Sequence, residues 1–244
     1  EREPKDFDIA TNAHPEEIRE LFRNSRLIGR RFRLAHVRFG REVIEVATFR
    51  ASHDGNEDGG SIADGGRILR DNVYGEIDDD VWRRDFTVNA LYYDISDFSV
   101  VDYVGGVEDI RRRRLRLIGD PELRYREDPL RMIRAIRFAA KLGLEIDPAT
   151  RDAFAHYANL LHDIAAARLF DECLKLFHSG HGLVTFELLC EYKLFEHLFP
   201  LAAQSFVSDE ISHKLVVESL RNTDQRLAQG KSVNPAFIFA AILW

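Results

Sequence analysis

The apolar pattern of this 244-residue chain changes at about residue 118, from short strand-like runs to segments with helical spacing. Before the change there is one clear helix, at residues 14–22, with Asn12 as its expected cap and acidic residues in its first turn. Short apolar runs predict strands at residues 7–9, 35–39, 43–49 and 100–103. The pattern therefore predicts an α+β fold, with an α+β domain over residues 1–118 and an all-α region over residues 119–244.

Proline and glycine mark where several segments begin and end. Pro129 and Gly143 predict a helix that opens at residues 128–129 and runs to about residue 142. Residues 51–66 are rich in glycine and aspartate and have no period, so we expect a loop there. Further helices, with no strand pairs between them, are expected at residues 148–160, 166–179, 182–192, 208–228 and 235–244.

The charge balance argues against a general nucleic-acid-binding surface. The chain has 34 Lys and Arg against 41 Asp and Glu, a net charge of −7, and a pI of about 5.7, so any such contact needs a local basic surface. No apolar run approaches the roughly 20 residues that span a bilayer, and the first residues are polar, unlike a signal peptide. Cys173 and Cys190 are too few for a disulfide framework, so we expect both to be reduced core residues of a cytoplasmic protein.

Two aspartates near the start of the chain suit a divalent cation. Asp6 and Asp8 are two positions apart, so on a strand their carboxylates share one face while Phe7 packs behind. Two convergent carboxylates are the usual protein contribution to an Mg²⁺ site, although this spacing also occurs by chance in surface strands. Glu45 lies in the apolar run 43–46, where a charge needs a partner or a cation. It is the candidate third carboxylate.

A second group of polar residues lies between residues 83 and 91. Arg83 and Arg84 suit phosphate, because guanidinium groups make bidentate contacts with it. Asp85 and Asn89 suit the hydroxyls of a ribose. The group predicts a site for a phosphorylated, hydroxyl-rich ligand; the alternative is an ion-paired helix start capped by Asp85.

A third group lies at the start of the helix that opens at residues 128–129. Asp128 and Arg131 are one turn apart and can lie side by side, where a carboxylate and a guanidinium can read the edge of a base. Arg131, Arg134 and Arg137 form a row that can hold a triphosphate. The alternative is a solvated arginine face.

One dense basic cluster stands out in the acidic chain. It predicts either an electrostatic footprint for a polynucleotide backbone or an exposed hairpin that carries charge. Its members are Arg111, Arg112, Arg113, Arg114 and Arg116.

In this order, the segments resemble the class II nucleotidyltransferase family, which groups CCA-adding tRNA nucleotidyltransferases with bacterial poly(A) polymerases. The motifs that carry the resemblance are D-F-D (6–8), R-R-D-F-T-V-N-A (83–90), D-Y-V-G-G-V-E-D (102–109), E-D-P-L-R-M-I-R (127–134) and A-R-L-F-D-E (167–172). Together they span essentially the whole chain. The resemblance implies a polymerase-β-type palm with a mixed sheet, followed by an all-α neck and body that recognises nucleotide and RNA.

The resemblance also implies an activity and a set of site residues. The implied reaction is template-independent transfer of AMP from ATP to RNA 3′ ends, with Mg²⁺ or Mn²⁺ as cofactor. The implied catalytic residues are Asp6, Asp8 and Asp85, and the implied metal ligands are Asp6, Asp8 and Glu45. The implied nucleotide-binding residues are Arg84, Asn89, Asp128, Arg131, Arg134 and Arg137, and the implied RNA-binding residues are Arg111, Arg112, Arg113 and Arg114.

Within the family, the run L-I-G-R-R-F-R-L-A-H-V (27–37) resembles the poly(A) polymerase branch, which implies mRNA 3′ polyadenylation that promotes RNA decay in bacteria. The alternative is a CCA-adding enzyme that uses CTP and ATP on tRNA. A non-catalytic RNA-binding protein is a more distant alternative, because the family's triphosphate-holding G-G-x-x-R-D segment has no counterpart among the 244 residues. Since the chain does not begin with Met, we expect that segment to precede residue 1.

Overall fold

The computed structural model describes residues 7–29, 33–51, 60–63, 67–71 and 73–244, with 60–63 and 67–71 described by their backbone. The chain packs as two units. The first comprises the residues up to Asp85 together with Tyr92–Val104, and the second comprises Phe86–Leu91 together with Gly105–Trp244. Within the described part of the chain, no helix is long and apolar enough to cross a membrane.

The first unit contains most of the strands. Its elements are β1 (Asp8–Thr11), α1 (Pro15–Leu21), β2 (Ser25–Ile28), β3 (Leu34–Phe39), β4 (Glu42–Thr48), β5 (Gly60–Ala63), β6 (Arg67–Asp71), α2 (Ile77–Arg83), β7 (Leu91–Asp94, from Tyr92 onward) and β8 (Ser99–Asp102). The four strands predicted from apolar runs are confirmed as β1, β3, β4 and β8. The prediction of a loop throughout residues 51–66 is wrong at residues 60–63, because β5 pairs there with β6 in an antiparallel ladder that supplies the backbone hydrogen bonds. Residues 52–59 and 64–66 of that segment lie outside the described part of the chain.

Four of these strands form a mixed sheet in the order β1-β4-β3-β2, in which β1 runs parallel to β4 and the other neighbours are antiparallel. One face is packed on α1, where Ile18 meets the buried side chains of Ala35, Val37 and Val46. α1 begins after His14, whose backbone N–H donates to the Glu17 carboxylate at 2.7 Å. The expectation that Asn12 caps this helix is therefore wrong.

The second unit is helical and has one large core. Its elements are a 3₁₀ helix (Thr87–Asn89), α3 (Gly106–Arg111), β9 (Arg114–Leu115), α4 (Pro121–Glu127), α5 (Leu130–Leu142), β10 (Glu145–Ile146), α6 (Pro148–Asp152), α7 (Phe154–Tyr157), a second 3₁₀ helix (Ala158–Asp163), α8 (Ala166–Phe177), α9 (Gly182–Glu191), α10 (Phe195–Leu198), α11 (Pro200–Ser208), α12 (Glu210–Ala228) and α13 (Pro235–Leu243). The predicted end of α5 is confirmed, since Gly143 has φ +62° there.

Packing divides the chain earlier than the apolar pattern does. Leu115 and Leu117 are buried in the core of the helical unit together with Phe86, and Phe86 pairs with Leu117 in an isolated bridge. Residues 86–91 and 105–118 therefore pack with the helices, because burial of their apolar side chains decides where they belong. The predicted all-α region also contains a short strand, β10, which pairs in parallel with β9 just before that region.

The two cysteines differ in their surroundings. Cys173 is buried in the helical core, as predicted, whereas Cys190 is exposed on α9. The prediction that Cys190 is a core residue is wrong, because the apolar run that contains it presents more than one face of a helix. Both thiols are free.

α9 is capped from a distant part of the chain. The carboxylate of Asp224 on α12 accepts hydrogen bonds from the backbone N–H groups of Gly182 and Leu183, at 2.8 and 2.9 Å. We expect Asp224→Ala to lower the free energy of unfolding by about 1–2 kcal/mol, the usual cost of a lost N-terminal cap. Urea unfolding measures the change, with Glu218→Ala on an exposed face of α12 as the control; an unchanged midpoint for Asp224→Ala would contradict the capping role.

Candidate active site

A row of charged side chains crosses the open face of the mixed sheet, the face opposite α1. The strand register places Asp8 of β1 beside Glu45 of β4, Glu45 beside His36 of β3, and His36 beside Arg26 of β2. Side chains at directly paired positions of neighbouring strands lie on the same face. The two predicted carboxylates Asp8 and Glu45 are therefore brought together by β-pairing.

The other residues of the D-F-D motif are placed differently from the expectation. Asp6 lies outside the described residues. Phe7 is 68% exposed, so it does not pack behind the carboxylates; β1 begins only at Asp8, and the position before it is not held in the sheet.

The surroundings of Glu45 also differ from the sequence interpretation. β4 alternates, so that Val46 and Thr48 are buried whereas Glu45 is exposed, with 49% of its side chain accessible. Its partner is His36, whose Nε2 lies 3.0 Å from Glu45 Oε1. Glu45 is thus not a buried charge that requires a cation.

Oxygen donors of this kind fit Mg²⁺. Asp8 and Glu45 are both exposed carboxylates on neighbouring strands, and hard oxygen ligands with open positions for water and phosphate are what this ion prefers. Among the described residues no three His, Cys, Asp or Glu side chains form a metal cluster. The described part of the chain therefore supplies two of the three predicted carboxylates.

Asp80, which the sequence analysis did not select, organises the arginine pair that follows it. Its carboxylate is almost fully buried and accepts hydrogen bonds from Arg83 (Nε, 2.9 Å), from Arg84 (Nε, 3.0 Å) and from the Tyr92 hydroxyl. The Arg84 guanidinium also lies 4.9 Å from the centre of the Tyr92 ring. Burial raises the pKa of Asp80, but Arg83, Tyr92 and Arg84 together outweigh it and lower that pKa.

The arginine pair thus ends a helix instead of beginning one. α2 ends at Arg83, Arg84 is its C-terminal cap residue, and the half-buried Asp85 follows. The alternative of a helix start capped by Asp85 is wrong, because the next turn is the short 3₁₀ helix that follows Phe86. That turn ends at Asn89, whose backbone N–H donates to the Phe86 carbonyl at 2.9 Å.

The connection between α4 and α5 carries the predicted base-reading pair. The side chains of Asp128 and Arg131 have different partners, although the Arg131 backbone N–H donates to the Asp128 carbonyl at 3.1 Å. Arg131 donates to the Glu127 carboxylate at 2.8 Å and to the Arg124 carbonyl at 2.7 Å, while Asp128 accepts from Arg168 of α8 at 3.0 Å. Each group is therefore held by a separate partner, and 26% of the Asp128 side chain and 12% of the Arg131 side chain are exposed.

The arginine row of α5 is not a solvated face. Arg134 is half-buried, and only 15% of the Arg137 side chain is exposed. Arg137 lies 3.8 Å from the buried carboxylate of Glu172 on α8, and its guanidinium lies 4.5 Å from the centre of the Phe138 ring. α8 packs against α5 at Arg137, and none of the three arginines of the row is exposed, so the alternative of a solvated face is wrong.

Three arginines of the basic cluster are exposed, namely Arg111, Arg112 and Arg113. Arg111 and Arg112 share the carboxylate of Glu108, at 3.7 and 2.8 Å, with 74% and 60% of their side chains accessible. One carboxylate cannot neutralise two guanidinium groups, and exposed pairs of this kind are weak. Arg111 and Arg112 therefore carry exposed positive charge that Glu108 does not fully neutralise, as a contact to a polyanion requires.

Arg113 and the remaining arginines of the cluster bind within the protein. Arg113 has φ +54°, and its guanidinium donates to the Gly143 carbonyl at 2.9 Å, at the C-terminal end of α5. Arg114 pairs with Asp147 at 3.2 Å. Arg116 donates at 2.8 Å to Asp109, whose buried carboxylate also accepts the Thr87 hydroxyl.

A cavity of about 650 Å³ also lies in the first unit, away from the predicted residues. It is lined by α1 and the end of β2, and none of the predicted site residues contributes to it. Its lining residues are Glu16, Arg19, Glu20, Leu27, Gly29 and Arg33.

Comparisons with known proteins show the family of this chain. Residues 1–116 match the family model of the poly(A) polymerase head domain, and residues 143–206 match the model described as a probable RNA and SrmB-binding site of polymerase A. Poly(A) polymerase I of Escherichia coli O157:H7 is 54% identical over all of this chain. The chain belongs to the family of poly(A) polymerases and CCA-adding enzymes.

More distant members of this family share the same architecture. The CCA-adding enzyme of Lactobacillus helveticus is 36% identical over 80% of the chain and 47% of that enzyme. The crystal structure of the Bacillus stearothermophilus CCA-adding enzyme in complex with CTP superposes with a TM-score of 0.69 at 32% identity, over 91% of this chain and 49% of that one. The chain spans about half the length of the curated relatives it matches, 53% in the case of the E. coli polymerase.

The fold of this nucleotidyltransferase family confirms the sequence-derived fold class, a mixed sheet with helices followed by a helical region. The first family model ends at residue 116, close to the division expected at residue 118. The two packing units do not follow this boundary. The division into domains at residues 1–118 and 119–244 therefore stays a prediction.

Two residues of α8 that the sequence did not single out contact predicted site residues on α5 and just before it. Arg168 binds Asp128, and Glu172 lies beside Arg137. Arg168 and Glu172 are four positions apart, which places them on one face of α8. The sequence of the 167–172 motif shows this spacing, but it does not show which element packs on that face of α8.

Proposed function

We propose that this chain belongs to the catalytic part of a template-independent polynucleotide adenylyltransferase, which adds AMP from ATP to RNA 3′ ends. The observation that carries nucleotidyl transfer is the β-pairing of Asp8 with Glu45 on an open face. Sequence identity favours adenylyl transfer. The chain is 54% identical to a poly(A) polymerase over its whole length, but 36% identical to a CCA-adding enzyme over 80% of its length. The cytoplasmic location and the role in mRNA decay stay predictions from the sequence.

Asp6, Asp8 and Glu45 are the residues that would hold Mg²⁺ or Mn²⁺. Cations held there would lower the pKa of the RNA 3′-hydroxyl and neutralise charge on the triphosphate. Asp8 and Glu45 present their carboxylates from neighbouring β-strands, so their spacing is set by rigid backbone. Asp85 would contribute to the catalytic site by contacting the ribose of the incoming nucleotide.

Arg84 is the proposed phosphate ligand of the first unit. Its guanidinium is oriented by Asp80 and by the Tyr92 ring, while 35% of the side chain remains exposed. An arginine already fixed by its neighbours loses less side-chain entropy when it binds phosphate. Asn89 of the second unit is a further proposed nucleotide-binding residue.

Asp128 and Arg131 are the proposed readers of the adenine edge. Arg168 fixes the Asp128 carboxylate, and Glu127 fixes the Arg131 guanidinium, so both are held in place before the nucleotide binds. Arg134 and Arg137 would support the nucleotide from the next turns of α5.

The decisive experiment is a primer-extension assay on the full-length protein with each nucleoside triphosphate supplied separately. An adenylyltransferase extends an RNA primer with ATP and not with CTP. Addition of CMP to a tRNA that lacks CCA, with CTP as the sole nucleotide, would instead establish the CCA-adding activity. No extension with any nucleotide, from protein that is folded and contains the whole family sequence, would overturn the proposed function.

We expect Arg131→Ala to reduce discrimination of ATP against CTP by about 1–3 kcal/mol, the value of a lost bidentate base contact. The ratio of kcat/KM for the two nucleotides measures this, and it is insensitive to a uniform loss of folded enzyme. Arg126→Ala removes an exposed arginine of α4 that pairs with Glu122 and serves as the control. An equal loss with every nucleotide would mean that Arg131 binds phosphate or only supports the fold.

Two of the four arginines predicted to bind RNA are proposed as contacts to the RNA backbone. The sequence predicts Arg111, Arg112, Arg113 and Arg114, but Arg113 binds the end of α5 and Arg114 pairs with Asp147. Arg111 and Arg112 are therefore the proposed contacts to the RNA backbone.

Changing both Arg111 and Arg112 to Ser is expected to raise the KM for RNA with little change in the KM for ATP. Each lost phosphate contact should also reduce the log–log salt slope of RNA binding by about 0.7, the value for a single strand. Arg221→Ser with Arg226→Ser on α12 is the matched control for loss of two exposed charges. An unaltered RNA KM and salt slope would show that the RNA path lies elsewhere.

A further inference from the structure

His36 has no role in the site residues discussed so far, although it is the next side chain in the row of Asp8 and Glu45. β4 lies between β1 and β3, so Glu45 has Asp8 on one side and His36 on the other. His36 Nε2 lies 3.0 Å from Glu45 Oε1. The imidazole therefore binds the carboxylate from the side away from Asp8.

This contact contributes little to stability. The accessible fraction is 29% for the His36 side chain and 49% for the Glu45 side chain, and solvent screens pairs that are this accessible. Its larger physical effect is on orientation. A glutamate on an open sheet face has several rotamers, and a hydrogen bond to Oε1 restricts where the second carboxylate oxygen points.

We infer that His36 is a positioning residue, which donates its Nε2–H to Glu45 Oε1 and thereby orients the Glu45 carboxylate toward the divalent cation that Glu45 shares with Asp8. This inference rests on the proposed function, because it requires the cation. Hydrogen bonds to ligating carboxylates fix their geometry, and their removal typically reduces metal affinity or activity 10–100-fold. His36 itself touches neither the cation nor the substrate.

The inference is tested by Mn²⁺ binding to the full-length protein, measured by electron paramagnetic resonance of free Mn²⁺ with the metal alone. His36→Leu removes the donor, and we expect an affinity reduced about 10–100-fold. His36→Gln places an amide N–H close to the position of Nε2 and should restore most of the affinity. His36→Asn has the same amide on a shorter side chain that does not reach Glu45, so it should behave like His36→Leu.

Kinetics give a second readout of the same variants. In saturating Mg²⁺, His36→Leu is expected to lower kcat with the KM for RNA unchanged, because the misplaced carboxylate affects the reacting atoms and not RNA binding. The melting temperature should remain near that of the unaltered protein. If His36→Leu does not fold, the comparison of His36→Asn with His36→Gln decides the question.

The outcomes separate this inference from the proposed function. Asp8→Asn serves as the reference for loss of the metal site. If Asp8→Asn weakens Mn²⁺ binding and His36→Leu or His36→Asn does not, the positioning role is wrong and the proposed function stands. Equal weakening by His36→Gln and His36→Asn also overturns the positioning role, and Mn²⁺ binding unaffected by Asp8→Asn overturns both.

Discussion

Replacing Asp8 with alanine is expected to reduce nucleotide addition at least on the order of 10³-fold while leaving the fold intact. The carboxylate is proposed to hold the cation that activates the RNA 3′-hydroxyl, and loss of such assistance costs several kcal/mol of barrier. Stability should not fall, because Asp8 is exposed at the first position of β1. Single-turnover primer extension measures the rate, and thermal unfolding measures stability.

The control for Asp8→Ala is Glu42→Ala, which removes another exposed carboxylate at the start of β4. We expect that variant to keep its activity, because Glu42 is paired with Phe39 and not with Asp8. More than a tenth of the original activity in Asp8→Ala would contradict the assignment of the metal site.

Replacing Asp80 with alanine is expected to lower the free energy of unfolding by about 3–5 kcal/mol, the cost of leaving buried charges without their partner. The carboxylate accepts from Arg83, Arg84 and the Tyr92 hydroxyl, and it also accepts the backbone N–H of Arg50 at 3.2 Å. No water replaces it easily, because its side chain is 4% exposed. Urea unfolding at pH 7 measures the loss.

The same variant has a pH signature with a definite sign. Since the pKa of Asp80 is lowered in the folded protein, its contribution is fully present above the unfolded pKa of about 3.9 and is lost as the pH falls through the lower folded value. The stability difference between the unaltered protein and Asp80→Ala should therefore shrink in strong acid.

Asp78→Ala, an exposed acidic residue in the first turn of α2, provides the control for both Asp80 measurements. It should change stability by less than about 1 kcal/mol. A comparable effect of the two substitutions, or a difference for Asp80→Ala that does not depend on pH, would contradict the buried ion-pair network.

Local sequence determined the elements whose signals lie within a few residues. Short apolar runs predicted β3 and β4, because runs of this length and composition are typical of strands. Gly143 marked the end of α5, because its φ of +62° strains a residue with a Cβ. The order of motifs along the chain was sufficient to indicate the family before any contact was known.

Sequence-based prediction failed at positions where the local composition is compatible with more than one structure. The glycine-rich composition of residues 51–66 predicts a loop, although β5 occupies residues 60–63. The apolar run that contains Cys190 predicts a core position, yet Cys190 is exposed on its helix. In each case the local composition is compatible with both outcomes, and packing selects one.

Tertiary structure alone decided the partners of the charged site residues. Nothing near Glu45 in the sequence shows that β4 pairs with β1 on one side and presents His36 on the other. Likewise, Arg131 and Arg137 share one helix row, but Glu127 holds the first, and Glu172 lies beside the second only because α8 packs on α5. Sequence spacing fixes which side chains share a face, whereas burial and charge pairing are set by elements tens of residues away, whose positions local periodicity does not encode.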